Sequence, residues 1–188
     1  MEKLIQSITT RTKLSPNTIK HMQDYFIKEE VPKNTLVLSD GQTCRKLYFL
    51  ERGTLRTFYY HMERDITSWF YKEGNFMSSW YSFYNQQPGF EYIETLEDTV
   101  FWSVSHQKYQ QLLQASFEFQ QFGRLLAEEQ VAFIDYYSKG YMFLSAREKY
   151  NLLIEYFPDI ELRVKLGHIA SYLGISQETL SRIRAGKQ

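Results

Sequence analysis

The chain has 188 residues, enough for one large domain or two small ones, with 43% hydrophobic residues and a formal net charge of zero. That balance excludes a disordered chain and a protein that coats nucleic acid through bulk charge, while leaving room for one basic patch on a small domain. The single cysteine, Cys44, excludes an intrachain disulfide and any cysteine-clustered metal site.

Residues up to about Glu30 are predicted helical. Ser15 is an N-cap, Pro16 occupies the first helical position where its missing N–H does no harm, and Ile19, Met22 and Phe26 form a core-facing stripe. From Val31 to about Ser105 the period changes to two. Thr35–Leu38, Lys46–Leu50, Thr54–Tyr60, Asp65–Tyr71, Tyr92–Leu96 and Thr99–Val104 are strand-like, with turns at Asp40-Gly41, Glu51-Arg52-Gly53, Glu73-Gly74-Asn75 and Glu97-Asp98. Short strands at this spacing indicate an antiparallel sandwich or barrel.

His106 to about Gly140 is helical again. Phe119, Phe122, Leu126, Phe133 and Tyr136 approximate alternating threes and fours, so they either cover the sheet of the same chain or pack on a second copy; the expectation is a dimer helix over about 107–140. Lys139-Gly140-Tyr141 is a plausible hinge. Ser145-Ala-Arg-Glu148 is a capping box that opens a helix ending before Pro158.

The final stretch is predicted as two short helices around a tight turn. Ile169, Ala170 and Leu173 share a face, Gly174 suits a left-handed turn residue, Ser176 is an N-cap, and Leu180 and Ile183 form the buried stripe of the second helix. A plain helical hairpin would carry some of these features, but all of them together at these offsets match a helix-turn-helix, whose second helix enters the DNA major groove. From residue 160 onward Arg163, Lys165, Arg182, Arg184 and Lys187 stand against Glu161 and Glu178, so this end is locally positive. The first turn of the second helix should point at base edges, and Gln177, Glu178, Ser181 and Arg182 lie on its exposed side, opposite Leu180 and Ile183. Ser176 and Thr179, with His168, Arg184 and Lys187, are expected to face phosphate, and Arg163 and Lys165 to supply further backbone contacts.

Together these residues resemble the cyclic-AMP receptor/fumarate-nitrate regulator (Crp/Fnr) family of bacterial transcription factors. Gly41, Leu47–Gly53 and Glu73-Gly-Asn-Phe76 match its glycine-punctuated β-roll, and Ile169–Arg182 match its helix-turn-helix. The resemblance implies an α+β fold: an N-terminal double-stranded β-roll sensor with a dimerisation helix (1–140), then a small helix-turn-helix domain (141–188). It implies a homodimer that binds double-stranded DNA, with RNA polymerase as a further partner. Two departures stand out. Family members usually continue into a β-hairpin wing, whereas this chain stops at Gln188, so a wingless domain is expected. Cyclic-nucleotide members carry a Gly-Glu pair and, about ten residues on, an Arg followed by a small hydroxyl residue; here Ser78-Ser79 and Gly89-Phe90 stand in those places.

No Lys, Arg or His occurs from Glu73 to Ser105, while Glu73, Glu91, Glu94, Glu97 and Asp98 do. A buried phosphodiester needs a cation or a nest of amides, so no cyclic nucleotide and no other cofactor is expected, and the effector is left open. Ser78, Ser79, Trp80, Phe83, Phe90 and Tyr92 are either core or the lining of an apolar ligand pocket.

An enzyme is the first rival, but His21, His61, His106 and His168 lie in separate elements and no nucleophile–base pattern is visible. A sensor or scaffold with a vestigial DNA motif is the second. No apolar run approaches the ~20 residues of a membrane span. The N-terminus lacks the apolar core of a signal peptide, so the expected location is cytoplasmic and no membrane partner is expected.

Overall fold

In the computed structural model, which describes residues 1–186, two four-stranded antiparallel sheets face each other. The strands are β1 (Ile27–Val31), β2 (Leu36–Leu38), β3 (Lys46–Arg52), β4 (Leu55–His61), β5 (Arg64–Tyr71), β6 (Phe76–Met77), β7 (Tyr92–Thr95) and β8 (Thr99–Ser105). One sheet runs β1-β8-β3-β6 and the other β2-β7-β4-β5. Alternating apolar residues of both sheets, among them Leu47, Phe49, Leu55, Ile93 and Phe101, meet in the core.

The N-terminal helices α1 (Glu2–Thr9) and α2 (Pro16–Tyr25) close this core with Leu4, Ile8 and Met22. The Ser15 hydroxyl accepts from the Thr18 amide at 3.3 Å, the predicted N-cap. The helix ends earlier than the sequence suggests. Residues 27–30 belong to β1, an edge strand paired with β8 from Ile27↔Ser103 to Val31↔Thr99. The helix-favouring Lys28-Glu29-Glu30 run is overridden by this ladder, as tertiary pairing commonly overrides local propensity.

Between the sheets and the C-terminal region come α3 (Trp80–Asn85), α4 (His106–Ala115) and α5 (Phe117–Lys139). The helical stretch expected after His106 is thus broken at Ser116, whose hydroxyl accepts from the Phe119 amide at 3.1 Å and starts α5 afresh. The two helices touch at Gly123, where an added Cβ would lie 2.7 Å from Leu113 Cδ2 and 2.8 Å from Tyr109 Oη.

The first half of α5 is core. Phe119 and Phe122 are 0% exposed and Leu126 2%; Phe119 packs edge-on to Tyr109, and Phe122 lies 5.0 Å from the Phe76 ring. These three residues, expected at a dimer interface, are therefore satisfied within their own chain. The sheet edge near β6 needed an apolar cover, and α5 supplies it. Phe133 and Tyr136 lie in the second half of α5 and are 36% and 53% exposed.

A 3-10 turn (Tyr141–Phe143) leads to α6 (Ala146–Tyr156), α7 (Ile160–Arg163), α8 (Leu166–Leu173) and α9 (Gln177–Arg184). Both arms of the Ser145–Glu148 capping box are formed. Leu153, Phe157, Ile160, Ile169, Leu173 and Leu180 make a second core, which also takes in Phe70 of β5 and Leu96 after β7. No helix among the described residues is long and apolar enough to cross a membrane.

Candidate functional site

The turn between α8 and α9 forms as its residues dictate. Gly174 sits at φ 70°, a left-handed C-cap that costs little without a Cβ. The Ser176 hydroxyl accepts from the Thr179 amide at 3.1 Å and starts α9. Leu180 is buried against α8, and this orients the rest of α9. Gln177, Glu178, Ser181 and Arg182 are all exposed. Glu178 and Arg182 form an i, i+4 ion pair along this face. The Gln177 amide lies over Gly167, where an added Cβ would come within 3.2 Å of its Nε2. Polar donors and acceptors thus stand together on one open helix face, the geometry that major-groove base edges require.

The other expected DNA contacts are placed less uniformly. The Ser176 and Thr179 hydroxyls are exposed but lie 3.0 Å from each other. Arg184 Nε is paired with Glu161 Oε1 at 2.6 Å, and Glu161 also accepts from the Tyr150 hydroxyl. Lys165 is exposed. Lys187 lies outside the described residues.

Two expectations fail. Arg163 does not face outward: its guanidinium bridges Glu73 (2.6 Å) and Glu97 (2.5 Å) in turns of the roll and stacks over Phe157. These hydrogen bonds, Glu73 foremost, raise its pKa further above the usual guanidinium range. Burial opposes ionisation of Glu73, but the Arg163 pair and the Gly53 amide outweigh it and hold the carboxyl below its ordinary value. His168 also turns inward, toward the roll. Its ring is half-buried, and burial followed by the nearby Arg56 charge pulls its pKa below 6.5.

At the place of a phosphate cassette the polar groups are used internally. The Ser82 hydroxyl accepts from the Cys44 amide at 2.8 Å and donates to the Gln87 carbonyl. Ser78 donates to the Lys46 carbonyl at 3.0 Å. An added Cβ on Gly89 would lie 3.2 Å from both Ser79 Oγ and Ser82 Cβ, so these segments are already in contact. Glu91 is pushed up by burial, only partly offset by a hydrogen bond from Ser79.

The six residues expected as a pocket do not gather around one space. Phe83 is 0% exposed and packs on His106 and Tyr109. Phe90 is 66% exposed, and Tyr92 stacks on Phe58 at 4.9 Å. Ser78 and Ser79 are buried, and Trp80 alone of the six lines the cavity between β5 and α5.

That cavity, about 720 Å³, lies where β5, the second half of α5 and the C-terminal helices meet. Trp69, Tyr71, Trp80, Phe133, Tyr137 and Tyr172 supply rings, and Asn75, Ser68 and Ser171 supply polar atoms. Its volume falls within the range of small-molecule sites. Its makers are scattered over more than 100 residues of sequence, so no local pattern announced it.

Arg56 was also missed. It is 3% exposed, forks onto Asp65 with both contacts at 2.6 Å, reaches Glu94 at 2.8 Å and Thr67 at 3.0 Å, and stacks 4.0 Å over Phe58. The only signal available was cross-strand register, since Arg56 pairs with Glu94 across β4 and β7.

Residues 28–116 match the family model of the cyclic nucleotide-binding domain. A protein of Eubacterium rectale assigned to the Crp/Fnr family of transcriptional regulators superposes with a TM-score of 0.70 at 21% identity, over 92% of this chain and 83% of its own. FixK2 from Bradyrhizobium japonicum gives 0.67 at 15% identity, over 86% and 83%. The catabolite activator protein of Thermus thermophilus gives 0.59 at 18% identity, over 92% and 83%. No protein of curated function matches the chain by sequence.

Proposed function

We propose that this chain, a cyclic nucleotide-binding-type roll in a Crp/Fnr-like fold, is a sequence-specific DNA-binding transcriptional regulator that acts as a homodimer. The observation that carries this reading is the open face of α9: Gln177, Glu178, Ser181 and Arg182 point outward together while Leu180 anchors the helix behind them. Gln pairs bidentately with adenine and Arg with guanine, and Glu accepts from cytosine. The Glu178 partner holds the Arg182 fork extended along the helix. Ser176 and Thr179 flank this face as phosphate contacts.

Support for a dimer comes from the second half of α5. Val131 and Ile134, three residues apart on one side of the helix, are 67% and 58% exposed, an apolar pair that a second copy would cover. The signal is not a cyclic nucleotide: the cassette position carries no cation and its hydroxyls are engaged within the chain. The ring-lined cavity beside α5 is where a different small molecule would act, because it touches the roll, the dimer helix and the C-terminal helices at once.

Selection from a pool of random duplexes at moderate salt tests the reading. Enrichment of a two-fold site with half-sites about 34 Å apart is expected. Salt-dependent binding with no enriched sequence would instead leave the C-terminal helices as a vestigial motif on a sensor or interaction protein.

A further inference from the structure

We propose that the junction of α8 with the roll is an acid-sensitive latch, in which His168 keeps the α8–α9 pair seated on β5 only while its imidazole is uncharged. Helix α8 lies along the free edge of β5. The Ser171 hydroxyl accepts from the Thr67 amide at 2.9 Å and donates to the Asp65 carbonyl at 2.8 Å, doing for that edge what a neighbouring strand would do. His168 is one turn earlier on the same side of α8. Its Nδ1 is buried and has no hydrogen-bond partner among the described residues.

The charged groups facing this ring are Arg56 from β4, Asp65 from β5, Glu94 from β7 and Lys165 just before α8. Both oxygens of Asp65 are taken by the Arg56 fork, and Glu94 Oε2 by Arg56 Nε. A proton on His168 would therefore add a half-buried positive charge beside Arg56, and the carboxylates that favour it, Asp65 and Glu94, are already shared with the Arg56 guanidinium. In the seated state burial comes first, then Arg56, in holding the ring below the ordinary 6.5; Asp65 and Glu94 oppose them in part, and Lys165 adds a little.

The sign of the linkage follows. The seated state binds the proton less readily than the released state. Seating is thus unpenalised above about pH 6.5, and weakens as pH falls from there toward the seated pKa, by up to about tenfold per pH unit. The latch is independent of what α9 binds, so it stands or falls apart from the proposed function. If α9 reads DNA, acid would free the reading helices from the roll.

Amide hydrogen exchange on the chain of 188 residues tests it, read at Thr67, whose N–H donates to the Ser171 hydroxyl. After correction for the intrinsic pH dependence of exchange, protection at Thr67 should be constant from pH 8 to 7. It should then fall by up to about tenfold per pH unit below 6.5, while amides of the β3–β8 ladder hold steady. His168→Gln should flatten the profile. Constant protection at Thr67 down to pH 5.5 would overturn the latch, as would an unchanged pH profile in His168→Gln. A second measurement needs no variant: the His168 imidazole resonances of the wild-type chain should titrate below 6.5, and a midpoint at or above 6.5 rules the latch out.

Discussion

The cassette region of the roll and the open face of α9 are built from similar residues, Ser, Gln and Glu, yet deploy them in opposite ways. In the first, Ser78, Ser82 and Gln86 spend their hydrogen bonds on backbone carbonyls and amides of the same chain. In the second, Gln177, Glu178 and Ser181 stand in solvent on a helix whose apolar side is already paid for by Leu180. A polar group already satisfied in a packed setting gains little from a ligand, whereas one in water can exchange its partners at small cost. Both regions therefore keep their fold while the capacity to bind a polar partner is concentrated in one.

Four measurements would sharpen or break that contrast. Phe122→Ala should have the largest effect, about 3–5 kcal/mol of stability lost in denaturant titration, because α5 starts inside the roll core. A loss confined to dimerisation, with monomer stability intact, would return Phe122 to an interface. Next, Arg182→Ala should weaken DNA binding by about 1–3 kcal/mol and relax discrimination at one base pair. A mutant with unchanged sequence preference would show that the exposed fork does not read bases. Ser171→Ala leaves the Thr67 amide and Asp65 carbonyl without their partner, and should cost about 1–2 kcal/mol, read as faster exchange at Thr67. An unchanged rate would mean the edge of β5 is protected by something else. The smallest effect belongs to the roll: millimolar cyclic AMP or cyclic GMP should leave the melting temperature where it is. Binding to the native state at a hundred times Kd would add about 2.7 kcal/mol, so a clear upward shift would overturn the view of the cassette.

What the sequence made legible depended on how local the cause was. The Ser15 and Ser145 caps, the Gly174 turn and the strands after Val31 rest on neighbours within a few residues, and they form as expected. The coarse architecture followed from the change of period. Misassigned residues have causes lying elsewhere in the chain. Periodicity shows that Phe119, Phe122 and Leu126 share a side of a helix; it does not say whether Phe76 or a second copy covers that side. Nearness in sequence to a helix-turn-helix places His168 and Arg163 on DNA, but carboxylates and a buried edge on the roll, 66 to 106 residues away, claim that surface. The Arg56 cluster needed the register of three strands, and the cavity needed the docking of two cores.

One last consequence concerns Gly123. Because α4 and α5 nearly touch there, and Phe119 and Phe122 are embedded just before it, that end of α5 is held as firmly as an axle. The remainder runs unbroken to Lys139, about 24 Å of rod at 1.5 Å per residue. A tilt of about 10° at the axle would swing the far end by about 4 Å, roughly three-quarters of the pitch of one helical turn. A small shift where α5 meets α4 would therefore be carried along the rod and enlarged at Phe133 and Tyr137, the rings that α5 contributes to the cavity.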